Sequence, residues 1–557
     1  MTRERGRHAA RGGHRPAHRA EPARRRQTSP ARAGEAPPAG DPTQDRPDPR
    51  RWRALAVCLV AGFMTLLDVS IVNVALPSIR EGLSATPSDL QWIVSGYALT
   101  FGLVLVPSGR LGDARGRRTM FVVGVALFTL SSLAAGLAPS AGWLVAARLL
   151  QGVGGGVINP QVSGLIQELF RGAERGKAFG LLGATIGVST AVGPVVGGLI
   201  IDLLGADTGW RWIFFVNLPI GAAAIALAFR LIPRPRRAQT QREDLDPLGV
   251  VLLGAGVIAM LLPLVQEQQW RGGGKWALVG VGAVVLGLFV AWELQYAARG
   301  RTPLVDMSLF HTETYSAGAA IATLYFSGFT SIFFILALHL QNGLGYSPLL
   351  AGLALTPFAA GSSVAAALGG RNAVRFGRPL VVIGLVLVVV GLLATDVVLG
   401  RVDGGSAGWA IAAPMLVGGI GSGLVISPNV TLTLAEVPVA RAGTAGGMLQ
   451  TGQRMGTAAG IALVGSVYFA ALASSHGNFV HAASLGLRVA VLLTCVALVA
   501  GVVDLVTTAR RRRAEEASSL EPSSSEPSPP EASSAAVSPP SGRRARTGPR
   551  PSPHRAP

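Results

Sequence analysis

The stretch MTLLDVSIVNVALPSI, residues 64–79, is almost wholly apolar and yet contains an acidic residue, Asp68. It belongs to one of many apolar runs that recur between Trp52 and Val506. Runs of about 18 residues or more are typical of membrane-spanning helices, because about 20 helical residues cross the hydrocarbon core of a bilayer. The sequence therefore predicts an all-α integral membrane protein that carries a carboxylate inside its first span.

The overall composition agrees with this fold class. Of the 557 residues, 49% are apolar and 14% are charged, against about 25% charged residues in ordinary soluble domains. Most of the 72 glycines lie inside the apolar runs, where small residues let helices approach closely. The formal net charge is +19, but the basic residues concentrate in the two polar ends and in short loops. We therefore predict that the partner is the lipid bilayer and that no nucleic acid is bound.

The sequence offers little for catalysis or metal binding. The two cysteines, Cys58 and Cys495, both lie inside apolar runs, which argues against a disulfide framework. No cluster of metal ligands, no phosphate-binding G-x-x-x-x-G-K-[ST] motif and no nucleophile–base constellation stands out. We predict no enzymatic activity, no metal and no cofactor.

Fourteen spans can be counted between the polar ends. They are approximately 52–77, 89–109, 119–138, 141–166, 177–202, 211–232, 247–266, 276–296, 316–340, 348–368, 379–399, 408–434, 443–473 and 487–508. The ends, residues 1–50 and 509–557, are rich in Arg, Pro, Ala and Ser and lack apolar periodicity, so they are predicted to be disordered tails.

The basic loop residues predict the orientation in the membrane. An even number of spans places both tails on one side, and the loops on that side carry most of the arginines: Arg110, Arg115, Arg117, Arg118, Arg171, Arg175, Arg234, Arg236, Arg237, Arg242, Arg299, Arg301, Arg371, Arg375 and Arg378. Loops rich in Lys and Arg stay in the cytoplasm. We expect a multi-pass protein of the cytoplasmic membrane with both termini in the cytoplasm.

An internal repeat indicates how the spans are organised. The loop after the second span reads GRLGDARGRRT from Gly109, and the loop after the tenth reads GGRNAVRFGRP from Gly369. The separation corresponds to six helices plus two. We predict two parallel six-helix halves, 51–232 and 316–508, joined by a linker, 233–315, that contributes two extra helices. Parallel repeats of this kind build transporters with a central site.

The fourth span contains a partner for the acid in the first. Arg148 is costly to place in a membrane, so it is expected to face a cavity and to pair with another group. At about 1.5 Å per residue, Asp68 lies about 13 Å, and Arg148 about 10 Å, from the outer ends of their spans. The matched depths predict an ion pair. Either protonation of Asp68 couples to substrate binding, or the pair is only structural.

Several motifs together resemble the major facilitator superfamily, specifically its fourteen-helix drug:proton antiporter branch. LDVSIVNVALPSI resembles the first-helix motif L-D-x-T-I-V-N-V-A-L-P, with Ser70 where Thr is usual. The resemblance covers roughly residues 52–508. It implies the major-facilitator fold and export of small amphipathic compounds, such as drugs, dyes or antibiotics, driven by the proton gradient through proton coupling at Asp68 and Arg148.

The loop GRLGDARGRR resembles the superfamily signature G-x-L-a-D-r-x-G-r-[KR]. Its carboxylate is expected to meet the positive N-terminal end of a neighbouring helix, or an arginine, and to latch the cytoplasmic side shut. A solvated basic loop is the alternative. The matching positions, which we assign to a cytoplasmic gate loop, are Gly109, Leu111, Asp113, Arg115, Gly116, Arg117 and Arg118.

Two further motifs lie within spans. LVAARLLQGVGGG in the fourth span resembles L-x-x-R-x-x-Q-G-x-G, and GVSTAVGPVVGG in the fifth resembles the antiporter motif g-x-x-x-G-P-x-x-G-G. The latter is associated with exporters, and its proline and glycines are expected to form a hinge or a proton-tight seam; generic glycine packing is the alternative. The matching positions are Arg148, Gln151, Gly152 and Gly154, and then Gly187, Gly193, Pro194, Gly197 and Gly198.

The candidate substrate cavity rests on weaker patterns. In the ninth span, Tyr325, Phe329 and Phe333 recur every four residues and so share one helix face. In the thirteenth span, Gln450 and Arg454 are expected to face the cavity, where Arg454 pairs with a substrate anion or with the first-span acid. Core or lipid-facing aromatics and a structural arginine are the alternatives. With one acid in the cavity, monovalent cations or neutral lipophiles are the expected substrates.

The sixth span opens WRWIFFVNLPIG from Trp210. Trp210 and Trp212 suit an anchor at the outer membrane surface, and Asn217 and Pro219 are predicted to bend the helix without acting as substrate ligands.

Other functions remain open at this point. The protein could be a dedicated exporter of one endogenous metabolite, lipid or siderophore, an uptake symporter, or a non-transporting membrane sensor or scaffold. The fifth-span motif argues against uptake. We expect a monomer that handles a small-molecule substrate and protons.

Overall fold

The structure is a computed structural model that describes residues 49–233, 246–265, 270, 272–402 and 404–520. Over these ranges the chain is helical and contains no strand. The predicted N-terminal tail up to residue 48, part of the linker and the end of the C-terminal tail lie outside the described residues.

Helices α1 to α7 form the first half, α8 and α9 the insertion, and α10 to α16 the second half. The first nine are α1 (Arg51–Leu83), α2 (Pro87–Arg115), α3 (Arg117–Gly136), α4 (Ala141–Leu169), α5 (Gly172–Leu204), α6 (Ala206–Phe215), α7 (Asn217–Leu231), α8 (Pro247–Val265) and α9 (Lys275–Ala298). The others are α10 (Glu313–Leu338), α11 (Pro348–Phe376), α12 (Arg378–Leu399), α13 (Ala407–Ala410), α14 (Ala412–Thr433), α15 (Ala442–Ser474) and α16 (Phe479–Leu520).

Within the described ranges, 14 segments are long and apolar enough to cross a membrane, and they follow the order of the predicted spans. The predicted fold class, all-α with fourteen spans, is confirmed. The helix of the sixth span is interrupted between α6 and α7, next to Asn217 and Pro219. This interruption agrees with the bend predicted for these two residues. Helix α16 continues to Leu520, into the range predicted as a tail, because its Ala-, Arg- and Glu-rich sequence favours helix.

The two halves repeat one set of helix contacts. In the first half α1 packs on α5, and α2 and α3 pack on α4; in the second half α10 packs on α15, and α11 and α12 pack on α14. The halves meet where α2 packs on α15 and where α11 packs on α5. These two interfaces are equivalent under the parallel repeat, since α2 corresponds to α11 and α5 to α15.

The repeated loops make the same turn. Gly116 and Gly377 have φ values of 98° and 62°, a region that favours glycine. Each ends one helix and precedes an arginine, Arg117 or Arg378, that begins the next. The repeated G-R of the two loops therefore marks a turn that only glycine makes without strain.

Glycines bring the halves into backbone contact at both interfaces. A Cβ atom on Gly109 of α2 would lie 2.4 Å from the carbonyl oxygen of Gly443 of α15. At the equivalent place, a Cβ atom on Gly370 of α11 would lie 2.4 Å from the Cα atom of Gly180 of α5. A side chain at either position would force the halves apart.

The inserted helices cover one of these interfaces. Helix α8 packs on both α2 and α15, and its buried Leu253, Val257 and Leu261 join a cluster with Leu99 and Val106 of α2. Helix α9 packs mainly on α8 and leaves many apolar side chains on its outer surface exposed. Such a surface suits contact with lipid.

The antiporter motif of α5 faces two helices at once. Towards α1, a Cβ atom on Gly193 would lie 2.3 Å from the Cβ atom of Ser70, and one on Gly197 would lie 2.8 Å from Cγ1 of Ile71. Ser70, the one departure from the first-helix motif, therefore packs closely against this glycine of α5.

Towards α11 the same motif makes a second close seam. A Cβ atom on Gly187 would lie 2.4 Å from Oγ of Ser363, and one on Gly352 would lie 2.8 Å from Cβ of Pro194. Helix α5 is thus held between α1 of its own half and α11 of the other half. If the halves slide along this contact, the packing of α5 against α1 changes as well.

Gly193→Ala should destabilise the protein, because the added methyl group meets the Ser70 side chain and backbone, and overpacking of this kind costs about 1–3 kcal/mol. Gly198→Ala is the matched control, since its nearest neighbour would be 3.8 Å away and alanine favours helix over glycine. The measurement is the midpoint of thermal unfolding of each purified variant. Equal shifts in the two variants would show that the α1–α5 contact does not limit stability.

Candidate functional site

The acid of the first span and the arginine of the fourth are in contact. Asp68 is 0% exposed and Arg148 is 1% exposed. Nη1 of Arg148 lies 2.5 Å from Oδ2 of Asp68, and Nε of Arg148 donates to the backbone oxygen of Ile93 at 3.0 Å. The ion pair predicted from the matched depths is therefore present, and its arginine is also fixed by α2.

The other carboxylate oxygen has two amide donors. Gln151 of α4 donates to Oδ1 of Asp68 at 2.8 Å, and Asn217 of α7 donates to it at 3.2 Å. Both amides also donate to the hydroxyl of Ser132 of α3, at 3.1 and 2.9 Å. Asp68 thus joins α1 directly to α4 and α7, and through the two amides to Ser132 of α3, in a network that is buried away from water.

Two members of this network were missed by the sequence analysis. Asn217 was predicted only to bend the sixth span, and Ser132 was not singled out. The available signal was that each is a polar side chain in an apolar segment. The Oδ1 atom of Asn217 has no hydrogen-bond partner in the described part of the chain.

An aromatic stack connects this network to the other half. The guanidinium carbon of Arg148 lies 4.3 Å from the ring centroid of Tyr97, whose centroid is 5.9 Å from that of Phe101. The guanidinium carbon of Arg454, in α15, lies 4.4 Å from the Phe101 centroid. Arg454 therefore does not pair with Asp68 here. Two rings of α2 separate it from Arg148.

The predicted aromatic face of the ninth span packs on the next helix. Tyr325 is 1% exposed, and the rings of Phe329 and Phe333 lie 6.0 and 5.2 Å from that of Phe358 of α11. Tyr325 is thus part of the second-half core, whereas Phe329 and Phe333 stay partly accessible. Their role in binding a substrate remains a prediction.

The carboxylate of the gate loop meets the start of a helix in the other half. Oδ1 of Asp113 accepts the backbone N–H of Gly443 at 3.1 Å, and Oδ2 accepts the N–H and the hydroxyl of Thr444 at 2.9 and 3.1 Å. These residues begin α15. Asp113 also pairs with Arg117, whose Nη2 lies 2.9 Å from Oδ1. Both partners considered in the sequence analysis, a helix N-terminus and an arginine, occupy one carboxylate.

Arg117 extends this latch into the first half and across the interface. Its Nη1 atom donates to the carbonyl of Gly164 at 2.9 Å and to Glu168 at 3.0 Å, both in α4. Its Nη2 atom also contacts the carbonyl of Val439, just before α15. Elsewhere in the loop, Arg118 donates to the carbonyl of Phe229 at 2.6 Å, and Arg115 is exposed at the end of α2.

The linker after α9 also contacts the start of α15. Asp306 pairs with Arg441, the residue before α15, and accepts the N–H of Ser308 at 2.9 Å. Burial raises the pKa of Asp306, but the hydrogen bonds of Ser308 and the charge of Arg441 outweigh this, so its pKa lies below the ordinary value. Asp306 is therefore ionised at neutral pH.

The equivalent loop of the second half has an arginine, Arg378, where the first has Arg117, but it has no counterpart of the Asp113 latch. Arg378 pairs with Asp504 of α16 at 2.7 Å and donates to Asn429 of α14 at 3.0 Å, all within its own half. Val374 takes the place that Asp113 has in the first loop. One interface between the halves thus has a buried carboxylate at the end where α15 begins. Its equivalent relies on close glycine contacts and on Arg175 of α5, which donates to the carbonyl of Ala435 at 3.1 Å.

A repeated helical bundle with a buried charge network and a charged latch between its halves defines a multi-pass membrane transporter. The chain belongs to the Major Facilitator Superfamily, whose family model matches residues 58–460 and, in a second match, 318–544.

Named relatives and a solved structure agree with this family. The chain is 40% identical over 442 residues to the probable actinorhodin transporter of Streptomyces coelicolor, covering 78% of this chain and 76% of that one. It is 33% identical over 421 residues to the multidrug resistance protein Stp of Mycobacterium tuberculosis, covering 74% and 75%. The proton:xylose symporter XylE has a TM-score of 0.58 at 16% identity, over 80% of this chain and 94% of that one.

Asp113→Asn should weaken the latch, because hydrogen bonds to an ionised group contribute about 1.5–3 kcal/mol each and neutral ones less. We expect the population with α2 and the start of α15 apart to rise about tenfold. Electron–electron distance measurement between spin labels at exposed Ala114 and Ala440, with Cys58 and Cys495 replaced, reports this.

Glu168→Gln is the matched control, because Glu168 also pairs with Arg117 but does not reach α15. It should leave the distance distribution unchanged. An unchanged distribution in Asp113→Asn, or the same shift in both variants, would mean that Asp113 does not hold the halves together.

Proposed function

We propose that this protein exports small amphipathic compounds, such as drugs, dyes or antibiotics, in exchange for protons. The names of its relatives, an antibiotic transporter and a multidrug resistance protein, support this substrate class. The fold alone does not set the direction, because a symporter shares it. The glycine–proline seam of α5, which resembles the antiporter motif, favours export.

The observation that carries the proposal is the Asp68 network. A carboxylate that is 0% exposed, in the middle of a span, and bound by donors of α4 and α7 cannot exchange a proton without movement of those helices. Conversely, protonation removes the charge that attracts Arg148 and so loosens the network. Proton binding and helix movement are therefore linked, which is what an exchanger driven by the proton gradient requires.

The proposed cycle uses the two sides of the bundle in turn. With the latch of Asp113 closed, Asp68 takes up a proton from the outside and the network loosens. The latch then opens, the substrate enters from the cytoplasm, and Asp68 releases its proton there. Re-formation of the ion pair with Arg148 returns the transporter to the closed-latch state, and the substrate leaves outside. No cofactor takes part.

This cycle requires the orientation predicted from the arginine distribution. The face at which α1 begins and α16 ends is then cytoplasmic, and both termini lie there. We further propose that the transporter acts in the cytoplasmic membrane as a monomer, since each half-to-half interface is formed within one chain.

Asp68→Asn should abolish substrate-induced proton movement, because asparagine cannot carry the proton. Inverted vesicles that contain the protein are acidified inside, and the release of protons is followed after addition of ethidium, tetraphenylphosphonium or a panel of antibiotics. Asp396→Asn is the matched control, since Asp396 pairs with Arg488 near the end of α12, at 3.1 Å, outside the network.

The wild type and the control should release protons, and Asp68→Asn should not. Release that persists in Asp68→Asn would place the coupling elsewhere. A wild type that responds to none of the compounds would contradict broad export and would leave a dedicated exporter of one metabolite, or a non-transporting sensor or scaffold, as the competing functions.

A dedicated exporter of one metabolite is the second candidate, and one observation favours it: the relative with 40% identity is named for a single compound. Expression in a susceptible host separates the two candidates. Broad export predicts that the minimal inhibitory concentrations of several unrelated dyes and antibiotics rise at least about fourfold, with no rise in Asp68→Asn. A rise for one compound class alone would favour the dedicated exporter.

A further inference from the structure

Arg454 is a membrane-embedded cation without a counter-ion. It follows the start of α15, at Ala442, by 12 residues, or about 18 Å along the helix, which is near the middle of a hydrocarbon core about 30 Å thick. Over the part of the chain that the structure describes, it contacts the ring of Phe101 and interacts electrostatically with Tyr97, and it pairs with no carboxylate. A charge in this position is costly unless it pairs or faces a polar cavity.

The helix periodicity shows which way Arg454 points. A Cβ atom on Gly446 would lie 3.0 Å from Cβ of Ser163 in α4, and Gln450, one turn on, donates to Oγ of Ser163 at 3.4 Å. Arg454 is one turn further along the same face. The opposite face of α15 packs on α10, where a Cβ atom on Gly456 would lie 2.1 Å from a backbone oxygen. Arg454 therefore faces the first half, inside the bundle.

Among the described residues Arg454 makes no hydrogen bond, so the N–H donors of its guanidinium group are unused. A guanidinium that stacks on an aromatic ring uses its flat face, whereas its N–H donors lie in its plane. Those donors match a carboxylate or another planar anion, which they bind in pairs. Arg454 is also only half-buried, so part of the group is accessible. The group is fixed in position by Phe101 and its donors are unused.

The acid of the network does not offer an equivalent site for a cation. Asp68 is 0% exposed, and its oxygens accept from Arg148, Gln151 and Asn217. A cationic substrate would have to displace Arg148, whereas an anionic substrate reaches Arg454 directly. This reverses the preference for cations or neutral compounds expected from the sequence.

We propose that Arg454 and Phe101 form an anion subsite for planar aromatic acids, in which a carboxylate or phenolate binds the guanidinium edge and the rings stack beside it. This rests on the proposed function as an exporter and names the charge class of its substrates. Binding would also act on the stack that leads through Phe101 and Tyr97 to Arg148.

The test uses two dyes with the same xanthene ring system and opposite charge, fluorescein as the anion and rhodamine 123 as the cation. Their binding to the purified full-length protein in lipid nanodiscs is measured by fluorescence anisotropy. We expect R454Q to weaken fluorescein binding by about tenfold or more, as loss of a charge-assisted hydrogen bond implies, and to leave rhodamine 123 binding unchanged or stronger. R454K, which keeps the charge but not the planar donors, should lose part of the fluorescein affinity.

Arg488→Gln is the matched control, because it removes an arginine of the same half that pairs with Asp396 at the bundle periphery. It should change neither affinity. Fluorescein affinity that is absent in the wild type, equal in the wild type and R454Q, or lost together with rhodamine 123 binding would overturn the proposal. If R454Q does not fold, the comparison of R454K with the wild type decides on the same criteria.

Binding in nanodiscs requires no proton gradient. The subsite can therefore fail while proton exchange through Asp68 succeeds, and it can be present in a protein that does not exchange protons. The two outcomes are read from different measurements.

Discussion

The structure is organised around one buried charge. A carboxylate with no access to water is tolerated only if donors replace its lost hydration, and Asp68 obtains them from Arg148, Gln151 and Asn217. Because these residues come from α4 and α7, a single side chain joins α1 to both helices. An apolar residue at position 68 would pack with less cost but would not join them.

The two interfaces between the halves are equivalent by repeat and unequal in chemistry. At α5 and α11 the contact relies on glycines, against which side chains such as Pro194 and Ser363 pack closely. At α2 and α15 it relies on Asp113 at a helix N-terminus, which is strong while formed and is lost over a short distance. Helix α8 covers this second interface. The duplicated loop kept the glycine turn in both halves but kept the acid in only one.

Much of this arrangement was predictable, for reasons that can be stated residue by residue. The spans follow from apolar length, and the repeat follows from the G-R turn, which needs glycine at Gly116 and Gly377. The ion pair followed from depth alone, because a membrane gives every residue of a span a known coordinate along one axis. Soluble proteins offer no such coordinate.

The direction in which each side chain faces around its helix was not predictable. Asn217 was predicted only to bend the sixth span, without knowledge that α7 faces α1, so its hydrogen bond to Asp68 was missed. The pairing of Arg454 with Phe101 depends on which face of α15 meets α2, and a weakly amphipathic span does not show its inner face in sequence. That Arg454 does not pair with Asp68 needed the structure, which puts the Phe101 and Tyr97 rings between Arg454 and Arg148.

That separation bears on how a substrate and a proton could affect each other. Arg148 and Arg454 repel each other, and α2 keeps them apart with its two rings, so each cation depends on a different anion. The anion of Arg148 is Asp68, which a proton would neutralise. Arg454 has no anion until a ligand binds. When Asp68 is neutralised, Arg148 and Arg454 are both cations without an anion, on opposite sides of the same aromatic stack. In this state the binding of an anion at Arg454 would be most favourable. A proton on Asp68 and an anion on Arg454 would therefore favour each other's binding, and binding of the two at equilibrium would be positively linked. In a strict exchanger, however, the proton and the substrate must be released on opposite sides of the membrane. The opening of the latch, and not the binding affinities of the closed-latch state, must then decide which of them is released on each side.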